Sequence, residues 1–195
     1  MTTFACFDVE TTRLDPKAGH VIEIAVVVTE VDGTPVGEEW TTLINPGTND
    51  VGRTDIHGIR AEWLPDAPVF GEIAGDLAQR LAGHIPVAHN KNFDVGFVVE
   101  EWGRAGFGKL DLHAVDTLAM ARAIGLPGKL GKLATSLGVP LDDAHRALGD
   151  TRALVDVFVA LLERGAEPNP CPVFDPPMIA PKPTSRILHR PTSPS

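Results

Sequence analysis

The stretch FDVETT, Phe7–Thr12, follows TTFAC, which is apolar and β-prone, so Asp8 and Glu10 are placed on a strand that runs into the protein interior. Side chains two apart in a strand share a face, which sets both acids beside Phe4 and Cys6. The opposite face carries Ala5, Phe7 and Val9, so the strand is covered on both sides and central. Two carboxylates on one face of a central strand are costly to desolvate. Either the strand stops before Asp8 and both acids are solvated, or something elsewhere in the chain compensates them.

Working outward, VIEIAVVVTE (21–30) and PVGEEWTTLIN (35–45) read as two strands joined by VDGTP, whose Asp32-Gly33 pair is a hairpin signal. Phe70, Ile73, Ala74, Leu77, Ala78 and Leu81 have the spacing of an amphipathic helix over 70–81. IPVAH (85–89) and LHAVDT (112–117) read as short strands. Helical patterns cover about 92–104, 118–123, 130–137 and 146–164, the last closed by Gly165. Strands first paired as a hairpin and then alternating with helices give an α/β domain over 1–165, with a mixed five-stranded sheet flanked by helices. Residues 166–195 hold nine of the 17 prolines and read as a proline-rich tail, extended or disordered, that contributes little to any chemistry.

The totals narrow the function classes. No apolar run approaches the roughly 18 residues of a membrane span, and MTTFACF lacks the basic region and apolar core of a signal peptide. With only Cys6 and Cys171, the reading is a cytoplasmic protein without disulfides. The net charge of −9 argues against gripping long nucleic acid by electrostatics alone. The acids concentrate in the first half, so cations of the second half or metal ions are needed if nucleic acid binds. Arg122, Lys129, Lys132, Arg146 and Arg152 are the candidates to line a strand's approach.

Two more carboxylates answer the D-x-E strand. Asp94 shares a helical stripe with Phe97, Val98 and Trp102, and Asp150 shares one with Leu154, Val157, Phe158 and Leu161. Each lies at the start of its helix, where the helix dipole makes negative charge less costly. Four converging acids repel one another without a counter-charge. Divalent cations supply it, and hard oxygen donors suit Mg²⁺ or Mn²⁺. Such sites act on phosphate esters, and a pair of ions about 3.5–4 Å apart clamps the attacking and leaving oxygens. His145, five residues before Asp150 in DDAHRALGD, is placed to act as a general base on water.

FDVETT, HNKNFDVGFV and HRALGD resemble, in order, the three motifs of the DEDDh (DnaQ-like) 3′→5′ exonuclease family. The D-x-E falls on Asp8 and Glu10, N-x-x-F-D on Asn90, Phe93 and Asp94, and H-x-A-x-x-D on His145, Ala147 and Asp150. DIHGI (55–59) resembles the family's segment near the substrate's 3′ end, which places His57 there. The resemblance implies a ribonuclease-H-like fold in which Asp8, Glu10, Asp94 and Asp150 organise two Mg²⁺ (or Mn²⁺) and His145 is the base. Within the family the chain is most similar to the proofreading epsilon subunit of bacterial DNA polymerase III and its stand-alone relatives. One departure is Arg13, where the family usually has glycine.

The implied activity is metal-dependent release of nucleoside 5′-monophosphates from single-stranded 3′ ends of DNA, in proofreading or repair. Thr11, Thr12, Arg13, His57, Asn90 and Phe93 are the candidate substrate-binding residues, and a polymerase subunit is the candidate partner for the tail. Two other classes stay open: an exoribonuclease or oligoribonuclease-like enzyme trimming RNA, and a non-catalytic nucleic-acid-binding module. The presence of all four acids and the histidine disfavours the second. His20, His84, His89 and His113 carry no motif and read as structural.

Overall fold

In the computed structural model, which describes residues 2–141, 145–178 and 180–191, the first strand runs as β1 from Phe4 to Thr11. The acids Asp8 and Glu10 are therefore inside the strand and not beyond its end. β2 (Val21–Thr29) is buried along its whole length and pairs antiparallel with β1, while β3 (Trp40–Leu43) pairs antiparallel with β2. β4 (Ile85–Ala88) lies parallel to β1 on its other side, and β5 (Val115–Asp116) parallel to β4. The order β3-β2-β1-β4-β5 puts β1 at the centre of a mixed five-stranded sheet, as the two-sided apolar pattern requires.

The helices follow from their stripes. α1 is a single turn (Thr54–His57), followed by a 3₁₀ turn (Ala61–Trp63) that the sequence pattern does not reveal. α2 (Phe70–Leu81) and α3 (Lys91–Arg104) cover the face carrying Ala5, Phe7 and Val9. α4 (Thr117–Ala123), α5 (Leu130–Leu137) and α6 (Ala147–Glu163) cover the face carrying Phe4 and Cys6. The rings of Phe4 and Phe158 meet at 4.9 Å, fastening α6 to the centre of the sheet. Because α6 carries Asp150 in its first turn, this contact also sets the distance between that acid and β1.

The hairpin begins as expected: Gly33 takes a positive φ of 87° and the Asp32 carboxylate accepts the Thr34 amide. The return strand is shorter than the expected 35–45. Only a bridge at Pro35 precedes a break, with left-handed Gly37, before pairing resumes at Trp40. Proline without an N–H and a left-handed glycine both interrupt a ladder.

The tail departs from expectation more. Its described residues form no helix or strand, as the prolines dictate, but they are tied to the domain along their length. The Asn169 side chain accepts the Asp116 amide on β5 and donates to the Ala114 carbonyl. Phe174 is buried and exchanges backbone bonds with Gly83 and His84. The backbone of Pro181 and Lys182 lies directly on Gly75 in α2, in space a methyl group there would occupy. The Asp76 carboxylate accepts the amides of Thr184 and Ser185, and Arg186 pairs with Glu72. Leu188 then joins the free edge of β3, its carbonyl accepting the Leu43 amide at 2.7 Å. Residues 192–195 of the expected tail lie outside the described residues.

The Phe4–Phe158 contact makes a direct prediction. Phe158→Ala removes a ring that is 1% exposed and opens a cavity between α6 and β1. Urea denaturation should show a loss of about 3–5 kcal/mol.

Candidate active site

The site forms where β1 outruns its parallel neighbour. Pairing of β1 with β4 stops at Cys6–Val87, and α3 begins three residues after β4. The turn between them bends through Asn90 in the left-handed region (φ 63°), a conformation asparagine tolerates. The Asn90 amide donates to Asp116. The first turn of α3 thus replaces β4 beside the end of β1, and the Asp94 carboxylate takes the place of a strand partner by accepting the Val9 amide at 3.2 Å.

On the other face of the sheet, α6 starts level with Glu10. One oxygen from each of Asp8, Glu10 and Asp150 lies within 4.8 Å of the others. Asp94 does not belong to this trio, but it is near enough to raise the pKa of Asp8. The expected four-acid cradle is therefore a cluster of three with Asp94 behind it, held by its bond to β1.

These carboxylates resist ionisation. Burial pushes Asp8 well above the ordinary carboxylate range, with Asp94, Glu10 and Asp150 adding repulsion. Glu10 rises to about 8, first by burial and then by its neighbours Glu23 and Asp150. Asp94 also rises to about 8, mainly by burial and despite its bond from Val9. Asp150 rises by burial against the lowering effect of the His145 amide, which donates to its Oδ2 at 3.1 Å. A group of desolvated, mutually repelling hard oxygen donors fits a divalent cation such as Mg²⁺ or Mn²⁺.

Glu23 is a fifth acid that the motif reading passed over. It faces Glu10 across the β1–β2 pair and is 5% exposed. A single charge in the apolar run VIEIAVVV was its visible signal. Its Oε2 accepts the Ala147 amide at the start of α6, and both its oxygens accept from the Arg190 guanidinium at 2.7 and 2.6 Å. Nothing in the proline-rich composition pointed to Arg190, yet the tail brings it to the site.

The remaining candidates divide. Glu10, Thr11, Thr12, Arg13, His57 and Phe93 line one small pocket of about 140 Å³ beside the acids. Phe93 is half-buried with its ring 4.9 Å from that of Phe97. The His57 ring is buried and committed at both nitrogens: Nδ1 accepts the Ile59 amide, so the other nitrogen donates to the Val51 carbonyl. Burial lowers its pKa. The Thr12 hydroxyl accepts the His20 amide and Thr11 donates to the Arg13 carbonyl, so both shape the loop after β1. The exposed Arg13 guanidinium lies on Asp50 at 2.6 Å. His145 is exposed, has a left-handed backbone (φ 66°), and is close enough to Asp150 to favour its charged form.

Of the basic candidates, Arg122 on α4, Lys129 just before α5 and Lys132 on α5 stand exposed, and Arg152 grips Glu39 with two hydrogen bonds. Arg146 borders a cavity of about 210 Å³ together with Glu23, Arg152 and Arg190. His20, His84, His89 and His113 bond to Glu101, Thr3, Thr117 and Asp111.

The sequence matches the exonuclease family, of ribonuclease T type, over residues 5–158. The chain belongs to this family. It is 34% identical over 175 residues to the DNA polymerase III subunit epsilon of Treponema pallidum, covering 85% of this chain and 79% of that one. It is also 34% identical to the PolC-type DNA polymerase III of Staphylococcus aureus, of which it spans only 12% while 85% of this chain is matched. Among solved structures, exonuclease X in complex with 5′-overhanging duplex DNA superposes with a TM-score of 0.65 at 22% identity, covering 86% of this chain and 94% of that one. The fold is that of the ribonuclease-H-like exonucleases, and the enzyme is a 3′→5′ exonuclease, a phosphodiester hydrolase. Among the described residues, no helix is long and apolar enough to cross a membrane.

The raised acids make stability depend on pH. Unfolded Asp and Glu ionise near pH 4, whereas folded Glu10 and Asp94 ionise near 8, so the metal-free fold binds more protons than the unfolded chain in between. Stability from this source is present at low pH and declines as pH rises from about 4 towards 8. Thermal melting in chelator should therefore fall between pH 5 and 8. Added Mn²⁺ should raise Tm more at pH 8 than at pH 5; an increment independent of pH would contradict the assignment of these acids as the cation site.

Proposed function

We propose that this exonuclease removes nucleoside 5′-monophosphates one at a time from single-stranded 3′ ends of DNA, with two Mg²⁺ or Mn²⁺ ions at Asp8, Glu10, Asp94 and Asp150. The observation that carries the reading is the juxtaposition of the three-acid cluster with a small pocket bordered by Phe93 and His57. The ions, when bound, neutralise the acids and stabilise charge on the scissile phosphate. Asp8 and Glu10 hold their positions because the strand is rigid, and Asp150 because α6 is clamped by Phe158. The exposed His145 imidazole takes a proton from the attacking water. The new P–O bond forms as the bond to the 3′ oxygen breaks, leaving a 5′-monophosphate and a strand shortened by one.

Phe93 offers a ring for the terminal base, and stacking of this kind tolerates any base. Asn90, exposed at the start of α3, and the His57 segment border the sugar. Arg13 reaches a backbone phosphate by leaving Asp50, an exposed pair of the kind usually worth under about 1 kcal/mol. The likeness to a polymerase subunit supports a proofreading role, a DNA polymerase partner and a cytoplasmic location. The described part of the tail is occupied by its own domain, which leaves it less suited to be the docking segment.

The test separates metal holding from proton transfer. Asp8→Ala should abolish cleavage of 3′-labelled single-stranded DNA and weaken Mn²⁺ binding together. His145→Ala should keep Mn²⁺ and DNA binding while losing about 10²–10⁴-fold in rate. A fully active His145→Ala variant would remove the histidine from the mechanism. Faster digestion of a matched RNA than of the DNA would overturn the substrate assignment.

A further inference from the structure

Arg190 occupies a position no motif assigns. Its guanidinium donates to both Glu23 oxygens, to the His57 carbonyl at 2.6 Å and to the His145 carbonyl at 3.3 Å. Its side chain is only 8% exposed, and that of Glu23 only 6%. The three segments it joins border the acids. β2 presents Glu23 opposite Glu10; α1 carries His57 at the pocket; and the segment before α6 carries His145. Glu23 continues the link to the Ala147 amide, so the first turn of α6, with Asp150, belongs to the same network.

We propose that Arg190 is a positioning residue of the nuclease site, through which the C-terminal tail fixes His145 and the start of α6 against the acids of β1. The His145 segment needs such an anchor. His145 holds a left-handed backbone, which costs a non-glycine residue free energy, and among the described residues its main chain bonds to Asp150 through the amide and to Arg190 through the carbonyl. The planar guanidinium fits the task because it serves a carboxylate bidentately and still has donors for two carbonyls. An ammonium group on a flexible stem does not reproduce that geometry. Arg190 is itself held in register by the tail: Leu188 is bonded to β3 two residues earlier, and Pro181–Lys182 lies on Gly75.

This inference rests on the exonuclease reading and on the role given to His145, so His145→Ala is measured beside the new variants. Arg190→Met should fold, with kcat on single-stranded DNA down about 10- to 100-fold, as expected for a displaced catalytic group, and KM changed less than about threefold. Arg190→Lys should recover only part of the rate, and free guanidinium should partly rescue Arg190→Ala. Hydrogen exchange over residues 145–151 should accelerate in Arg190→Met without a matching change over β1. Gly75→Ala tests the tail from a distance, because it favours α2 as a helix while its methyl group displaces Pro181–Lys182; it should lower kcat in the same sense. The double variant Glu23→Gln/Arg190→Met removes the unpaired buried acid, so Tm should return while kcat stays low. Recovery of both would mean that Arg190 is only a counter-charge, and the inference would fall. Unchanged or increased kcat in Arg190→Met, with His145→Ala inactive, would overturn it while leaving the proposed function standing. A fully active His145→Ala would instead strike the proposed function.

Discussion

The structure is organised around repulsion. Asp8, Glu10, Asp94 and Asp150 gather at the end of one buried strand, where burial and mutual repulsion raise their pKa values, and Glu23 lies beside them. Each solution to that repulsion is local and different. Asp94 accepts a backbone amide of β1, Asp150 accepts the amide of His145, and Glu23 accepts the Arg190 guanidinium and an α6 amide. Among the described residues Asp8 and Glu10 accept no such bond, which makes them the acids most in need of a counter-charge. The hydrophobic contacts of α6 and α3 hold the helix starts at a spacing that electrostatics alone would not allow.

The chain's pattern was readable wherever one side chain's position follows from a repeat. The strand from Phe4 and the helix over 70–81 follow from periods of two and 3.6, and three motifs in order identified the acids and His145. The left-handed His145 was not readable, because a positive φ on a non-glycine residue leaves no compositional trace. Glu23 was visible as a charge in an apolar strand, but its partner was not: an arginine 167 positions later, within proline-rich sequence, has no periodicity to place it. Thr12 and His57 matched the family's pattern, yet their polar atoms are largely spent on their own loops, a difference that spacing does not encode.

Proline density points to an extended or disordered tail, and its described residues are extended, without helix or strand, and bonded to the domain. An extended chain that cannot bond to itself has amides and carbonyls left for other elements. Here they meet Asp76, Thr42, Leu43 and His84, and proline lowers the entropy lost when such a segment is fixed.

The tail also touches the sheet at both of its ends. Asn169 bonds the backbone flanking β5, and Leu188 bonds β3, the outermost strands on opposite sides. Unpaired strand margins are templates for joining a second molecule, and proteins cover them to stay monodisperse. A ribosome makes this segment after the α/β body. During synthesis the α/β body therefore carries two open margins until residues 169–188 emerge, and this segment acts as a built-in guard against self-association of the newly made chain.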